Sequence, residues 1–124
     1  MKTERFHLGD VLSITTGRLV SPSHMDGVYR ICTHLAGEPV WTHQLPRVAR
    51  EAAPHLLAQF PKLSAITGDD VTGENCAAWL AARVAEVGEW LDVAPMSADQ
   101  HESIDPLSEL AEKVHPSKIL TIGA

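Results

Sequence analysis

Glycine and proline residues divide this sequence into segments that suit only brief helices and strands. Gly17 and Gly37 each follow a stretch whose apolar side chains recur every three to four residues, and Pro61 follows a third. Recurrence at that spacing is typical of an amphipathic helix, and glycine readily adopts the left-handed backbone conformation that ends one. We therefore predict a helix-dominated α+β fold with four to five helices and one or two short strands near the termini.

The spacing predicts helices in five regions. They are residues 11–16, 25–35, 43–60, 73–92 and 106–114. The first region is ambiguous, because its β-branched residues favour a strand, whereas its apolar spacing and Asp10 as a cap favour a helix, which we prefer. Pro54 lies inside the third region, so we expect a break or kink near residues 53–54.

Two further segments are predicted as strands, residues 4–8 and residues 118–122. Because they lie near opposite ends of the sequence, their pairing would tie the two termini together. Residues 94–103 contain a proline and few large apolar side chains, and are predicted as a loop. The length of 124 residues suits one hydrophobic core, so we expect a single small globular domain over residues 1–124.

The composition excludes several classes of protein. A chain that is 44% hydrophobic and 21% charged is neither disordered nor collagen-like. No apolar stretch approaches the roughly 20 residues of a membrane-spanning helix, and the first residues lack the apolar segment of a signal peptide. Cys32 and Cys76 are too few for a disulfide scaffold. We expect a soluble cytoplasmic protein with reduced thiols and no membrane partner.

The charge is distributed unevenly along the sequence. Residues 1–62 hold seven basic and five acidic residues, a net +2, whereas residues 63–124 hold three basic and eleven acidic residues, a net −8. The total of −6 excludes only a uniformly basic protein that coats DNA. The acidic half is either a solvated face that keeps the protein soluble or a surface that docks on a basic partner.

Two tryptophans favour docking on a partner. Trp79 and Trp90 are eleven residues apart in the predicted helix 73–92, hence about 20° apart around its axis, and both flank its core stripe. Either another helix covers them, or they form an exposed aromatic ledge of the kind found in protein-binding hot spots. The predicted partner-binding face consists of Trp79, Glu86, Glu89, Trp90, Glu109 and Glu112.

This face also requires a particular orientation of the last helix. Glu109 and Glu112 must face outward, and Leu107 and Leu110 must face the core.

The basic half contains an alternative site on the third predicted helix. Its residues are His43, Gln44, Arg47 and Arg50. Arginines one turn apart can grip a carboxylate or a phosphate, which would make the protein a small nucleic-acid-binding or regulatory domain. The competing interpretation is that Arg47 pairs with Glu51 on a solvated helix face. The negative net charge makes direct binding to nucleic acid the less favoured interpretation.

The sequence lacks the motifs of catalysis and of metal binding. Cys32, His34 and His43 match no paired zinc-ligand spacing, and on a helix Cys32 and His34 would point about 200° apart. There is no G-x-S-x-G, P-loop, G-x-G-x-x-G or H-E-x-x-H pattern. We therefore expect a non-enzymatic protein with no catalytic residues, no metal and no cofactor.

Four segments resemble a group of small proteins encoded by temperate phages and prophages. They are FHLGDVLSITTGRL over residues 6–19, Gly27-Val28-Tyr29, Thr42-His43-Gln44-Leu45-Pro46-Arg47 and Asp105-Pro106-Leu107-Ser108-Glu109-Leu110. The resemblance implies a phage accessory protein in the cytoplasm of an infected or lysogenic bacterium. Small acidic phage proteins often block host machinery, as anti-CRISPR inhibitors do, so we expect it to inhibit or modulate a host complex that has a basic surface. Such a complex would handle nucleic acid or serve CRISPR defence, and a homodimer is compatible with this role.

Overall fold

The computed structural model describes residues 2–113 and confirms a helix-dominated α+β fold in that range. Five α-helices and two strands follow one another along the chain. They are β1 Glu4–His7, α1 Leu8–Thr16, α2 His24–Ala36, α3 Leu45–Gln59, α4 Cys76–Val87, β2 Trp90–Val93 and α5 Pro106–Lys113. Two short 3-10 turns, Thr42–Gln44 and Pro61–Ala65, precede and follow α3. No helix among the described residues is long and apolar enough to cross a membrane.

Helix α1 forms where the ambiguous first region lies, so the prediction of a helix is confirmed. Gly17 ends it with φ 73°, as expected. The predicted cap was wrong, because Nδ1 of His7 accepts the amide hydrogen of Gly9 and caps the helix one turn earlier. Asp10 instead lies inside the helix, where its buried carboxylate accepts a hydrogen bond from Ser21 at 2.5 Å.

Helix α2 packs unusually close to this buried pair. A Cβ atom at Gly27 would lie 2.3 Å from Asp10 Oδ1 and 2.2 Å from Ser21 Oγ, so only glycine fits without a shift. The helix ends at Gly37, whose φ of 72° confirms the predicted C-cap.

We predicted a break or a kink near residues 53–54, and of these two the break does not occur, because α3 is one helix through Pro54. Proline lacks the amide hydrogen that would bond the carbonyl of Arg50. Pro54 is exposed, and a carbonyl on the solvent side of a helix can be hydrated. The helix therefore tolerates this proline on its outer face.

The two strands form an antiparallel sheet in which Phe6 lies opposite Leu91 and His7 lies opposite Trp90. This pairing corrects two predictions. Helix α4 is shorter than the predicted 73–92, because Gly88 adopts φ 115° and residues 90–93 become a strand. The observed partner of β1 is therefore β2, and the predicted strand 118–122 lies outside the described residues.

The hydrophobic core lies where α1, α2 and α3 pack against one another, and it includes Phe6 of β1 and Val93 of β2. Its largest fully buried side chains include Phe6, Leu8, Leu12, Ile31, Leu35, Leu56 and Leu63. Residues 94–103 contain neither helix nor strand, which agrees with the predicted loop. One side chain of that loop, Met96, is buried in the core, and its amide hydrogen bonds the carbonyl of Leu35 at the end of α2. The loop thus brings the chain back across the helices before α5.

Candidate functional site

The predicted partner-binding face is divided by the fold. Trp79 is buried on α4, and its indole Nε1 donates a hydrogen bond to Asp70 Oδ1 at 2.9 Å. Trp90 belongs to β2 and is 51% exposed. The two rings therefore do not form the common ledge that one continuous helix would create.

The predicted orientation of the last helix was also wrong. Glu109 was expected to face solvent but is only 2% exposed, whereas Leu107 is 65% exposed and Leu110 also faces solvent. The reason is electrostatic, because Arg47 of α3 forms a two-point contact with the carboxylate of Glu109. Glu112 lies beyond the residues whose side chains the structure describes.

Arg47 lies at the centre of a group of bonded side chains, which we call the polar cluster: Glu38, Gln44, Arg47, Glu51, His101 and Glu109. Its Nε and Nη2 donate to Glu109 at 2.7 and 2.9 Å, and its Nη1 donates to Glu51 at 2.8 Å. The hydrogen bonds to Glu109 and the charge of Glu51 outweigh burial and raise the pKa of Arg47. The expected Arg47–Glu51 pair forms, but not on a solvated face, because both side chains are largely buried within this cluster.

His101 lies between two carboxylates of the polar cluster. Its Nδ1 is 2.7 Å from Glu51 Oε1, its Nε2 is 2.6 Å from Glu38 Oε2, and its side chain is 8% exposed. Both ring nitrogens face acceptors, so the protonated imidazolium, which has two donors, satisfies both. Burial lowers the pKa of His101, but the hydrogen bonds and charges of the two carboxylates outweigh it and raise the pKa overall. In return, the hydrogen bond from His101 lowers the pKa of Glu38.

The alternative anion-binding residues are largely occupied within the chain. Gln44 is buried and donates to the carbonyl of Ile104 and to Glu109, both at 3.0 Å. His43 Nε2 lies 2.7 Å from the carbonyl of Pro106. Arg50 alone of the four is exposed. The other three residues, His43, Gln44 and Arg47, instead hold residues 102–109 against the 3-10 turn and the start of α3.

Sequence reasoning missed His101 and Glu38 as members of this cluster. They are separated by 63 residues in the sequence, and neither stands in a motif. The uneven charge was a signal of such contacts, because one half is acidic and the other is rich in His and Arg. It could not identify which two residues pair.

A second group of side chains remains accessible where α4 leads into β2. We call this group the acidic corner: Glu86, Glu89, Trp90 and Asp92, all of them exposed. Trp90 packs edge-on against His7, with 5.3 Å between ring centroids. Asp92 lies opposite Arg5 in the sheet, with 3.8 Å between Asp92 Oδ1 and Arg5 Nε, and both side chains face solvent. Three exposed carboxylates therefore lie within four residues of the half-exposed indole in the sequence.

The described residues contain no group of three or more His, Cys, Asp or Glu side chains that could hold a metal ion. Cys32 is buried, and burial raises its pKa to about 12, so its thiol is protonated at neutral pH and is a poor nucleophile.

A family model described as a domain of unknown function, DUF7736, matches residues 6–66. That range contains α1, α2 and α3, together with four members of the polar cluster: Glu38, Gln44, Arg47 and Glu51. His101, Glu109 and the acidic corner lie outside it. Searches of curated proteins and of solved structures gave no match. The resemblance to phage-encoded proteins therefore stays a prediction, and the site has to be interpreted from its own geometry.

Proposed function

We propose that this protein is a non-catalytic binding protein that docks its acidic corner on a basic surface of a partner protein. The observation that carries the proposal is the half-exposed Trp90 among the exposed carboxylates of Glu86, Glu89 and Asp92. An indole supplies a large apolar contact area, and acidic side chains beside it select a partner that carries Lys or Arg. Trp79 and Glu109 take no part in this surface, because both are buried.

The charge of the C-terminal half supports the same interpretation. Residues 84–112 contain no Lys or Arg. Arginines outside that range pair with two carboxylates of the acidic corner, Arg83 with Glu86 at 2.8 Å and Arg5 with Asp92 at 3.8 Å, whereas Glu89 has no Lys or Arg partner among the described residues. A field of one sign accelerates the encounter with an oppositely charged partner, and salt weakens it. A host complex whose Arg and Lys side chains normally bind nucleic acid has the required surface. In this proposal, the protein is a phage accessory protein that inhibits or modulates such a complex, with CRISPR defence as one candidate.

The test is affinity purification from the native host with a matched pair of charge-reversed variants. Glu86→Lys/Glu89→Lys alters the acidic corner, whereas Asp26→Lys/Asp99→Lys alters two exposed carboxylates elsewhere and makes the same change of +4 in net charge. We expect the partner to be lost with the first variant and retained with the second. A Trp90→Ala variant should weaken retention at every salt concentration. Equal retention by both charge-reversed variants would contradict the proposal.

Direct binding of nucleic acid remains the second candidate and has weaker support. His43, Gln44 and Arg47 are hydrogen-bonded to residues 104–109, so only Arg50 of that group is exposed to meet a phosphate. A gel shift at low salt that disappears with Arg50→Ala would favour this candidate over protein binding.

A further inference from the structure

We infer that the partner is recognised through a peptide segment that carries a basic side chain close to an apolar one. This inference rests on the proposed function. The basic side chain would contact the acidic corner, and the apolar side chain would enter a cleft that begins beside it. The inference therefore names the chemistry of the partner at the same surface.

The cleft lies between α4 and the turn that precedes α2, and its volume is about 620 Å³. Its apolar walls are formed by Val20 and Pro22 on one side and by Cys76, Leu80 and Val84 on the other. The cleft is large enough for the side chain of Leu, Ile or Met. Because none of the described residues that line it is Lys or Arg, an acidic peptide would find no Lys or Arg counter-charge among them.

One end of the cleft is polar and suits a peptide group. Nδ1 of His7 accepts the amide hydrogen of Gly9 at 2.9 Å, so the neutral ring carries its proton on Nε2. That Nε2 lies 3.6 Å from Glu89 Oε2, which is longer than a hydrogen bond. A donor and an acceptor thus stand side by side at this end. A peptide carbonyl can accept from His7 while the neighbouring amide hydrogen donates to Glu89.

The cleft is continuous with Glu89 and Trp90 of the acidic corner. His7 lines the cleft and also contacts the ring of Trp90, and Glu89 lines the cleft and directly precedes Trp90. A segment whose apolar side chain fills the cleft therefore places its neighbouring residues over Glu89 and Trp90. Negative charge at that point favours Lys or Arg in those neighbouring positions.

Two alanines on α4 provide a matched pair of variants. Ala81 lines the cleft, whereas Ala82 does not, and both are exposed on the same helix. Ala81→Trp would fill the cleft, and Ala82→Trp would add the same side chain outside it. Circular dichroism and the urea midpoint of both variants would establish that each is folded.

The probe is a display library of random peptides, selected on the unmodified protein. We expect the selected peptides to carry Arg or Lys within three residues of Leu, Ile, Met or Val. For a synthetic copy of one such peptide, Ala81→Trp should weaken binding about tenfold, the effect of losing one buried anchor, and Ala82→Trp should leave it within about twofold.

The outcomes separate this inference from the proposed function. If Glu86→Lys/Glu89→Lys abolishes binding but Ala81→Trp does not change it, the acidic corner binds without the cleft and the inference is wrong. If neither variant changes binding, both proposals are wrong. Selection of acidic peptides would overturn the inference. So would a dimer that dissociates with Ala81→Trp in the absence of peptide, because the cleft would then hold a second copy of the chain.

Discussion

Arg47 shows how much of this structure depends on one side chain. Removing it takes the guanidinium that meets both carboxylate oxygens away from the buried Glu109, and breaking such a pair costs about 3 kcal/mol. We expect Arg47→Met to lower the free energy of unfolding by about that amount, measured by urea denaturation. Arg47→Met/Glu109→Leu should recover about half of the loss, since it removes both charges. Losses that simply add would show that the pair is not coupled.

His101 makes stability depend on pH. Its pKa in the folded protein is raised above 6.5, so its contribution is fully present below that pH and is lost as pH rises through the folded pKa. Glu38, whose pKa is lowered from 4.5, contributes above that pH and loses its contribution on acidification. Between these limits the two groups stabilise each other.

The prediction for His101 is therefore a difference that depends on pH. The free energy of unfolding should differ more between the unmodified protein and His101→Gln at about pH 5.5 than at about pH 9, because only the imidazolium bonds both carboxylates. Urea denaturation at the two pH values measures it. A difference that is equal at both values, or larger in alkali, would contradict the assignment of a protonated ring.

At the level of elements, α2 approaches α1 so closely that replacing a glycine of α2 by alanine should lower stability, the reverse of its usual effect in a helix. Alanine normally stabilises a helix interior relative to glycine, by about 1 kcal/mol. At Gly27 its Cβ would lie 2.3 Å from Asp10 and 2.2 Å from Ser21, so we expect Gly27→Ala to destabilise by about 1–3 kcal/mol. The control is Gly73→Ala, which meets no atom within 4 Å and should change stability little. Thermal midpoints of the two variants give the comparison, and equal midpoints would refute it.

At the scale of the whole molecule, the uneven charge of the sequence is partly used to hold the chain together. Arg47 of the basic half pairs with Glu109 of the acidic half. Conversely, the carboxylates of Glu38 and Glu51 in the basic half pair with His101 in the acidic half. Residues 101–111 are thus attached mainly by polar side chains, since Leu107 and Leu110 face solvent. Such a segment can open without unfolding the core.

We expect hydrogen exchange to show this opening. Amides of residues 104–111 should exchange at a lower opening free energy than those of α1, and Arg47→Met should accelerate exchange in 101–113 alone. Mass spectrometry of the native protein at low urea concentration measures both. Exchange of 104–111 at the same opening free energy as α1 would indicate one cooperative unit instead.

Most of the helices could be predicted because their signals are local. Gly17 and Gly37 end α1 and α2 through their own backbone conformations, and the apolar spacing before them identifies the buried faces. The pattern around Cys76 and Leu80 predicted α4 in the same way. The pattern failed beyond Val87, because residues 90–93 pair with β1 and form a strand instead of continuing the helix.

The candidate site depended on contacts between distant residues. Glu109 matched a solvated helix face by its spacing, yet it is buried because Arg47, 62 residues earlier, meets its carboxylate. Likewise Trp90 is exposed because β2 turns it outward, whereas Trp79 is buried by its position on α4. Periodicity and capping act over one or two helical turns, so they can predict α1, α2 and α3. Pairing of strands and of charges requires chain segments to meet across the fold, and only their arrangement in space selected the acidic corner and the polar cluster.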